Sequence, residues 1–250
     1  MASSIASRFA LATAAAAAIV FTATTVRPVY AGRAPVVTRL MGEAWRDSAT
    51  AALVERAPWA MASTEESLRT PRFESDRRAF AEDLFRTGNV TEARADSLAN
   101  FAVREAYHRR VPPALVFGVM MVENPALKST ARSRVGAVGL MQIYPRAWKK
   151  ALSRHFGSNL NDDRTNLRYG VFILSHLVYK SDMWGNDPDS TLRKGLLRYN
   201  GCVRGTNTKN CHRYPDVIRS RIERMAVSQC GGVGYERCVS EPLRLSMRGE

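Results

Sequence analysis

The stretch "LVFGVMMVENPALKSTARSRVGAVGLMQIYP", Leu115 to Pro145, holds a single acidic residue, Glu123, at the end of an otherwise apolar run. At 100° per residue, Val116, Val119 and Met120 fall within about 60° of Glu123 on a helical wheel, and Phe117 and Met121 cover the other side. A helix that is apolar all round is a buried helix. Pro112 and Pro113 suit its first turn, so the spacing predicts a core helix from about Pro113 to Glu123. A carboxyl group at the end of such a helix loses water and lies near the negative end of the helix dipole. Both effects raise its affinity for a proton, which is what a general acid needs. The helix alone also allows a plainer account, in which Glu123 is where the chain reaches solvent before the Asn124-Pro125 turn.

Around this stretch almost every periodic segment is helical. Apolar residues at helical spacing run from Ser75, read as an N-cap, to Phe85, with Gly88 just past the end. Thr91 caps a second pattern through Ala95, Leu98, Ala102 and Ala106 to Arg110. "RAWKKALSRHF", "NLRYGVFILSHLVYK", "STLRKGLLRYN" and "YPDVIRSRIERMAV" follow. Alternating β-branched runs with Asn-Gly turns are nearly absent. The expectation is an all-α domain over 90–228, preceded by a helical accessory region over 32–89 with a linker around "PWAMASTEESLRTPR". The cysteine-containing tail, 229–250, reads as loop, and no internal repeat is visible.

The first residues read as a targeting segment. Arg8 precedes an Ala-rich apolar stretch without acids, and Val29-Tyr30-Ala31 puts small residues at the positions a signal peptidase reads. Residues 1–31 are expected to be a cleaved signal peptide, so the protein is exported to the periplasm or beyond. An uncleaved inner-membrane anchor is the alternative. Without that segment the chain keeps 35 basic against 23 acidic residues, a formal charge of +12, which favours polyanions or anionic envelope surfaces. The basic residues are scattered, so no dedicated nucleic-acid arm is indicated.

The four cysteines, Cys202, Cys211, Cys230 and Cys238, all lie in the last fifty residues. In an exported chain they read as disulfides, paired locally as Cys202–Cys211 and Cys230–Cys238 because each pair closes a short loop. A zinc site with His212 is the other reading, but the spacings are wider than the usual close pairs, and no metal or cofactor is expected. His108, His155 and His176 carry no spacing that suggests a ligand set. Met120-Met121 read as core filling, and Trp148 and Trp184 as packing or sugar-contacting aromatics. Asp162 and Asp163 are candidate second carboxylates, though beside Asn161 they read first as turn and cap residues.

Sixteen residues after Glu123 comes Gly139-Leu140-Met141-Gln142, a Gly-rich loop that enters a helix. Glu123, "SRVGAVGLMQIYP", "LNDDRTNLRYG", "LLRYNG" and "HRYPDVIRSRI" together resemble, in order, the motifs of the soluble lytic transglycosylase catalytic domain, a lysozyme-like family that cleaves peptidoglycan. The resemblance runs from near Ala95 to about Arg224. It implies that Glu123 protonates the glycosidic oxygen between N-acetylmuramic acid (MurNAc) and N-acetylglucosamine (GlcNAc). The same group then acts as base while the muramyl C6 hydroxyl attacks C1, giving a 1,6-anhydro end. It implies that Gly139, Leu140, Met141 and Gln142 shape the glycan groove, with Gln142 bonding the sugar. Asn166 and Gly170 form a structural Asn-x-x-x-Gly element, Tyr199 and Asn200 line the cleft, and Tyr214 contacts the glutamate or the sugar. The family usually has serine after the glutamate, where this chain has Asn124.

Most glycosidases need two carboxylates. An attack from within the substrate needs no enzyme nucleophile, so one buried glutamate is enough. Two other outcomes share this fold: a hydrolase like goose-type lysozyme that uses water with the same glutamate, and a non-catalytic module that binds cell wall or polyanions.

Overall fold

A computed structural model describes residues 57–62, 65–180, 188–202 and 209–248. Residues 1–56, which include the expected signal segment, and Trp184 lie outside the described residues. The described chain is mostly helical. Its extended contacts are two isolated bridges, Arg132 with Val138 and Val138 with Ile143.

The helices are α1 (Pro58–Met61), α2 (Pro71–Arg86), α3 (Glu92–Arg109), α4 (Pro113–Glu123), α5 (Pro145–Phe156), α6 (Asp163–Lys180), α7 (Pro188–Tyr199), α8 (Tyr214–Met225), α9 (Val227–Cys230) and α10 (Glu241–Arg248). Short 310 turns cover Glu65–Arg69 and Cys211–Arg213, and a π-helical turn covers Glu236–Ser240. Helix α4 is the centre. Every residue from Pro113 to Met121 is buried, because no polar side chain interrupts the run. Around it α2, α3, α6 and α8 bury Phe80, Leu98, Tyr169 and Ile222 in one continuous core.

Two local readings change. Helix α2 starts at Pro71, not Ser75: Thr70 accepts a hydrogen bond from the Phe73 N–H at 3.2 Å, and proline at the first position needs no N–H partner. Ser75 is an exposed residue within the helix. The expected linker is built in as well, since Trp59, Ala60, Ala62 and Leu68 are buried in the common core.

The tail is helical where a loop was expected. Gly231, Gly232 and Gly234 interrupt it, but Tyr235, Val239, Leu243 and Met247 lie close to a helical spacing and are all buried. The tail is joined to the N-terminal helices through Asp83, which is almost fully buried on α2. Its carboxylate accepts the N–H groups of Ser228 at 2.9 Å and Gln229 at 3.1 Å, and Arg86 pairs with it at 3.1 Å. The acid thus satisfies donors of the first turn of α9 that have no partner within the helix.

Candidate active site

Glu123 is the last residue of α4. Its carboxyl group accepts a hydrogen bond from the Tyr214 hydroxyl, at the start of α8. Gly118 explains how the two helices come close enough. A Cβ at that position would lie 2.6 Å from Ile222 and 3.1 Å from Ile218, so only a hydrogen leaves room for α8 to cross α4. Burial pushes the Glu123 carboxyl up to about 7, and the Tyr214 hydrogen bond opposes that rise. Burial, reinforced by the neighbouring carboxylate, pushes the hydroxyls of Tyr199 and Tyr214 well above the ordinary phenol range. Both tyrosines therefore stay protonated and act as donors near neutral pH.

The loop after α4 is held by three side chains. Tyr199 donates to the Met141 carbonyl at 2.9 Å. Asn166 bonds it from below: its amide NH2 donates to the carbonyls of Val138 and Leu160, each at 2.9 Å, and its Oδ1 accepts the Met141 N–H at 2.9 Å. Asn124 ties the loop back to the helix end, donating to the carbonyls of Lys128 at 2.7 Å and Gly139 at 3.2 Å.

Two glycines make these contacts possible. Gly139 has φ +82°, and a Cβ there would lie 2.1 Å from the Asn166 amide nitrogen. Gly170, one helical turn after Asn166, leaves space for Met141, whose sulfur would otherwise be 2.2 Å from a Cβ. The Asn-x-x-x-Gly spacing thus presents a bonding amide and a gap on one face of α6.

Leu140 and Met141, expected to shape the groove, are both fully buried, so they anchor the loop from the core side. Gln142 stays partly exposed at φ +47°, with its amide NH2 donating to the Gly139 carbonyl at 2.9 Å. Asn200 is partly exposed at the end of α7. Disulfides join Cys202 to Cys211 and Cys230 to Cys238. The first connects the segment three residues after Tyr199 to the segment three residues before Tyr214. Arg193 reinforces that connection by pairing with Asp216 at 2.7 Å.

Asp162 accepts the Thr165 N–H at 2.8 Å as a cap of α6, and Asp163 pairs with Arg94 at 2.8 Å. His108 lies 3.4 Å from Glu65, His176 stacks on Phe172, and His155 and His212 are exposed. Met120 and Met121 are buried, and Trp148 packs against the core.

Three structural contributors had no role assigned to them from the sequence. Asn124 looked like a departure from a family pattern, yet it is 4% exposed and holds both ends of the loop. Gly118 is a glycine inside a fully apolar helix, an available signal of close helix approach. Arg94 reaches the Leu127 carbonyl at 3.2 Å, the Ser129 hydroxyl at 2.9 Å and Asp163. No local pattern marks it, because its partners lie 33 or more residues away.

Residues 101–206 match the family model "Transglycosylase SLT domain". That span takes in Glu123, the Gly139–Gln142 loop, Asn166, Gly170, Tyr199 and Asn200, while Tyr214 lies beyond it. No curated protein and no solved structure matches the chain.

Proposed function

We propose that the chain, whose residues 101–206 match the transglycosylase SLT domain, is a peptidoglycan lytic transglycosylase with Glu123 as its only catalytic carboxyl group. The observation that carries this reading is a half-buried glutamate whose carboxyl group is pushed up to about 7 and accepts a hydrogen bond from a tyrosine that stays a donor. At neutral pH such a group is protonated in part of the molecules and ionised in the rest, so it is able to serve as acid and then as base.

In the first step the Glu123 proton passes to the glycosidic oxygen between MurNAc and GlcNAc, and the C1–O bond breaks. The Glu123 carboxylate then takes the proton of the muramyl C6 hydroxyl as that oxygen bonds to C1. The products are a 1,6-anhydroMurNAc end and a free GlcNAc 4-hydroxyl. Glu123 ends protonated as it began, and no water is consumed. The absence of a second role for Asp162 and Asp163 fits this scheme, since both are committed to α6 and Arg94.

Tyr214 orients the carboxyl group and weakens its hold on the proton, while Tyr199 and Asn166 keep the Gly139–Gln142 loop against the groove. Gln142 and Asn200, both partly exposed, are the polar side chains offered to sugar. The substrate is peptidoglycan glycan. Two disulfides and the Ala-rich N-terminal segment support export to the periplasm or beyond, with residues 90–228 as the catalytic domain.

Mass spectrometry of muropeptides released from purified sacculi tests the proposal. The expected products are anhydro ends, lighter by one water than reducing ends. Reducing ends alone would mean that water is the acceptor, as in goose-type lysozyme. No release at all would leave a wall-binding module.

A further inference from the structure

Between Glu123 and Asp162 the chain has seven basic residues, Lys128, Arg132, Arg134, Arg146, Lys149, Lys150 and Arg154, and no acidic one. All seven are exposed, and none makes an ion pair with a described residue. Elsewhere eight arginines are compensated by acids. Arg77, Arg86, Arg94, Arg104, Arg168, Arg193, Arg219 and Arg244 each have a carboxylate within 3.4 Å. Positive charge left uncompensated in one segment favours an anionic partner there.

The segment also has a shaped recess. Arg132 and Lys149 line a depression of about 150 Å³ together with Ser158, Asn159, Asn161 and Val138. Asn159 Oδ1 is taken by the Asn161 N–H at 3.1 Å, which leaves the Asn159 amide NH2 as a donor. Two cations with hydroxyl and amide donors in so small a space suit a carboxylate. A larger depression, lined by Ser75, Arg78, Ala79, Glu82 and Ser228, carries an acid beside its cation and lacks this bias.

The position selects the source of that carboxylate. Val138 is adjacent to Gly139 and pairs with Ile143 through two hydrogen bonds of 2.9 Å, so the recess is formed on the same loop as the proposed glycan groove. An anion covalently attached to the glycan strand is the one delivered there whenever the strand is bound.

We propose that the Arg132–Lys149 recess binds a free carboxylate of the peptide stem carried by MurNAc, so that the protein distinguishes peptide-bearing glycan from bare glycan. This rests on the proposed function for its substrate, and its test is independent of catalysis. Binding is measured by cosedimentation of a Glu123→Gln protein with intact sacculi and with sacculi stripped of peptides by an amidase. Adding Arg132→Gln and Lys149→Gln is expected to weaken binding to intact sacculi about five-fold, from two exposed charge pairs, and to leave binding to stripped glycan unaltered. Lys149→Gln alone gives about a two-fold loss. A control with Arg78→Gln and Arg237→Gln, equal in net charge, is expected to bind like the parent.

Equal losses on both substrates, or an equal loss in the control, would overturn the proposal. So would competition by inorganic polyphosphate with none by a soluble acidic stem peptide. If sacculi digested by wild type yield no anhydro ends, the catalytic reading fails while the binding result stands.

Discussion

The molecule contains two carboxyl–tyrosine pairs that look alike and sit in different settings. Glu123 accepts from Tyr214, and Asp76 accepts from Tyr107 at 2.7 Å. In both, burial raises the acid's pKa and the tyrosine hydrogen bond lowers it. Asp76 also has Arg72 one turn earlier on α2 pulling it down, and Tyr107 is packed edge-on against Phe73 at 5.2 Å. That pair fastens α2 to α3. Among the described residues no cation influences the pKa of Glu123, which lies at the C-terminal end of a helix and is followed at once by the loop that Asn124 holds. Raised proton affinity is therefore shared by both pairs. The absence of a cation and the place at the mouth of the loop separate the proposed catalytic acid from the structural one.

The largest test of this contrast is to remove each acid. Glu123→Gln is expected to lower release of muropeptides by about 100-fold or more, the scale of general acid catalysis, while Asp76→Asn keeps activity within a few-fold of wild type. Equal losses in a turnover assay would erase the distinction.

Stability sharpens it further. Glu123 goes from 4.5 in its ordinary state to about 7 in the fold, so between those values the folded protein holds the extra proton and stability falls as pH rises. Above about pH 7 the whole penalty is present. Glu123→Gln should then unfold later than wild type at pH about 8, by on the order of 2–3 kcal/mol, with the difference gone below about pH 4.5. Denaturant titrations at the two pH values measure it.

Gly118→Ala comes next. Its methyl group meets Ile222, so a cost of about 1–3 kcal/mol and a loosened Tyr214–Glu123 contact are expected, with the Asp76–Tyr107 pair untouched. Loss of stability with unchanged kcat would show that the crossing of α8 over α4 serves packing alone. The smallest effect is on pH dependence. Tyr214 lowers the Glu123 pKa, so Tyr214→Phe moves the alkaline limb of activity upward. Tyr107→Phe leaves that limb in place and lowers stability by about 1 kcal/mol. A shift of the limb in Tyr107→Phe would mean that the two pairs are coupled.

What the sequence revealed follows from which forces act locally. Helix α4 was legible to the residue because its signals, two prolines and an uninterrupted apolar run, lie within it. Glu123 was a candidate because it is the only acid in that neighbourhood. The start of α2 was misread because two capping solutions compete, and Thr70 with Pro71 prevails over Ser75 for want of an N–H to satisfy. The tail was misread because its three glycines suggested loop, whereas the cost of ordering them is offset by burying Tyr235, Val239 and Leu243 against distant helices. Asn124 was visible, but its function was not. Its hydrogen bonds depend on where Gly139 returns in space, which no neighbouring residue encodes.

Asp83 has a consequence for the order in which this chain is able to fold. Its partners, Ser228 and Gln229, are 145 and 146 residues downstream, and Tyr214 is 91 residues beyond Glu123. A chain still being synthesised has α2 and the apolar α4 early, but until the last few dozen residues emerge it has a carboxylate awaiting its amides and a glutamate without its tyrosine. Closing contacts so far apart in sequence comes late, after most of the loop entropy has been lost. The nascent protein is thus expected to remain open, with the proposed active site incomplete, until its final helices have arrived.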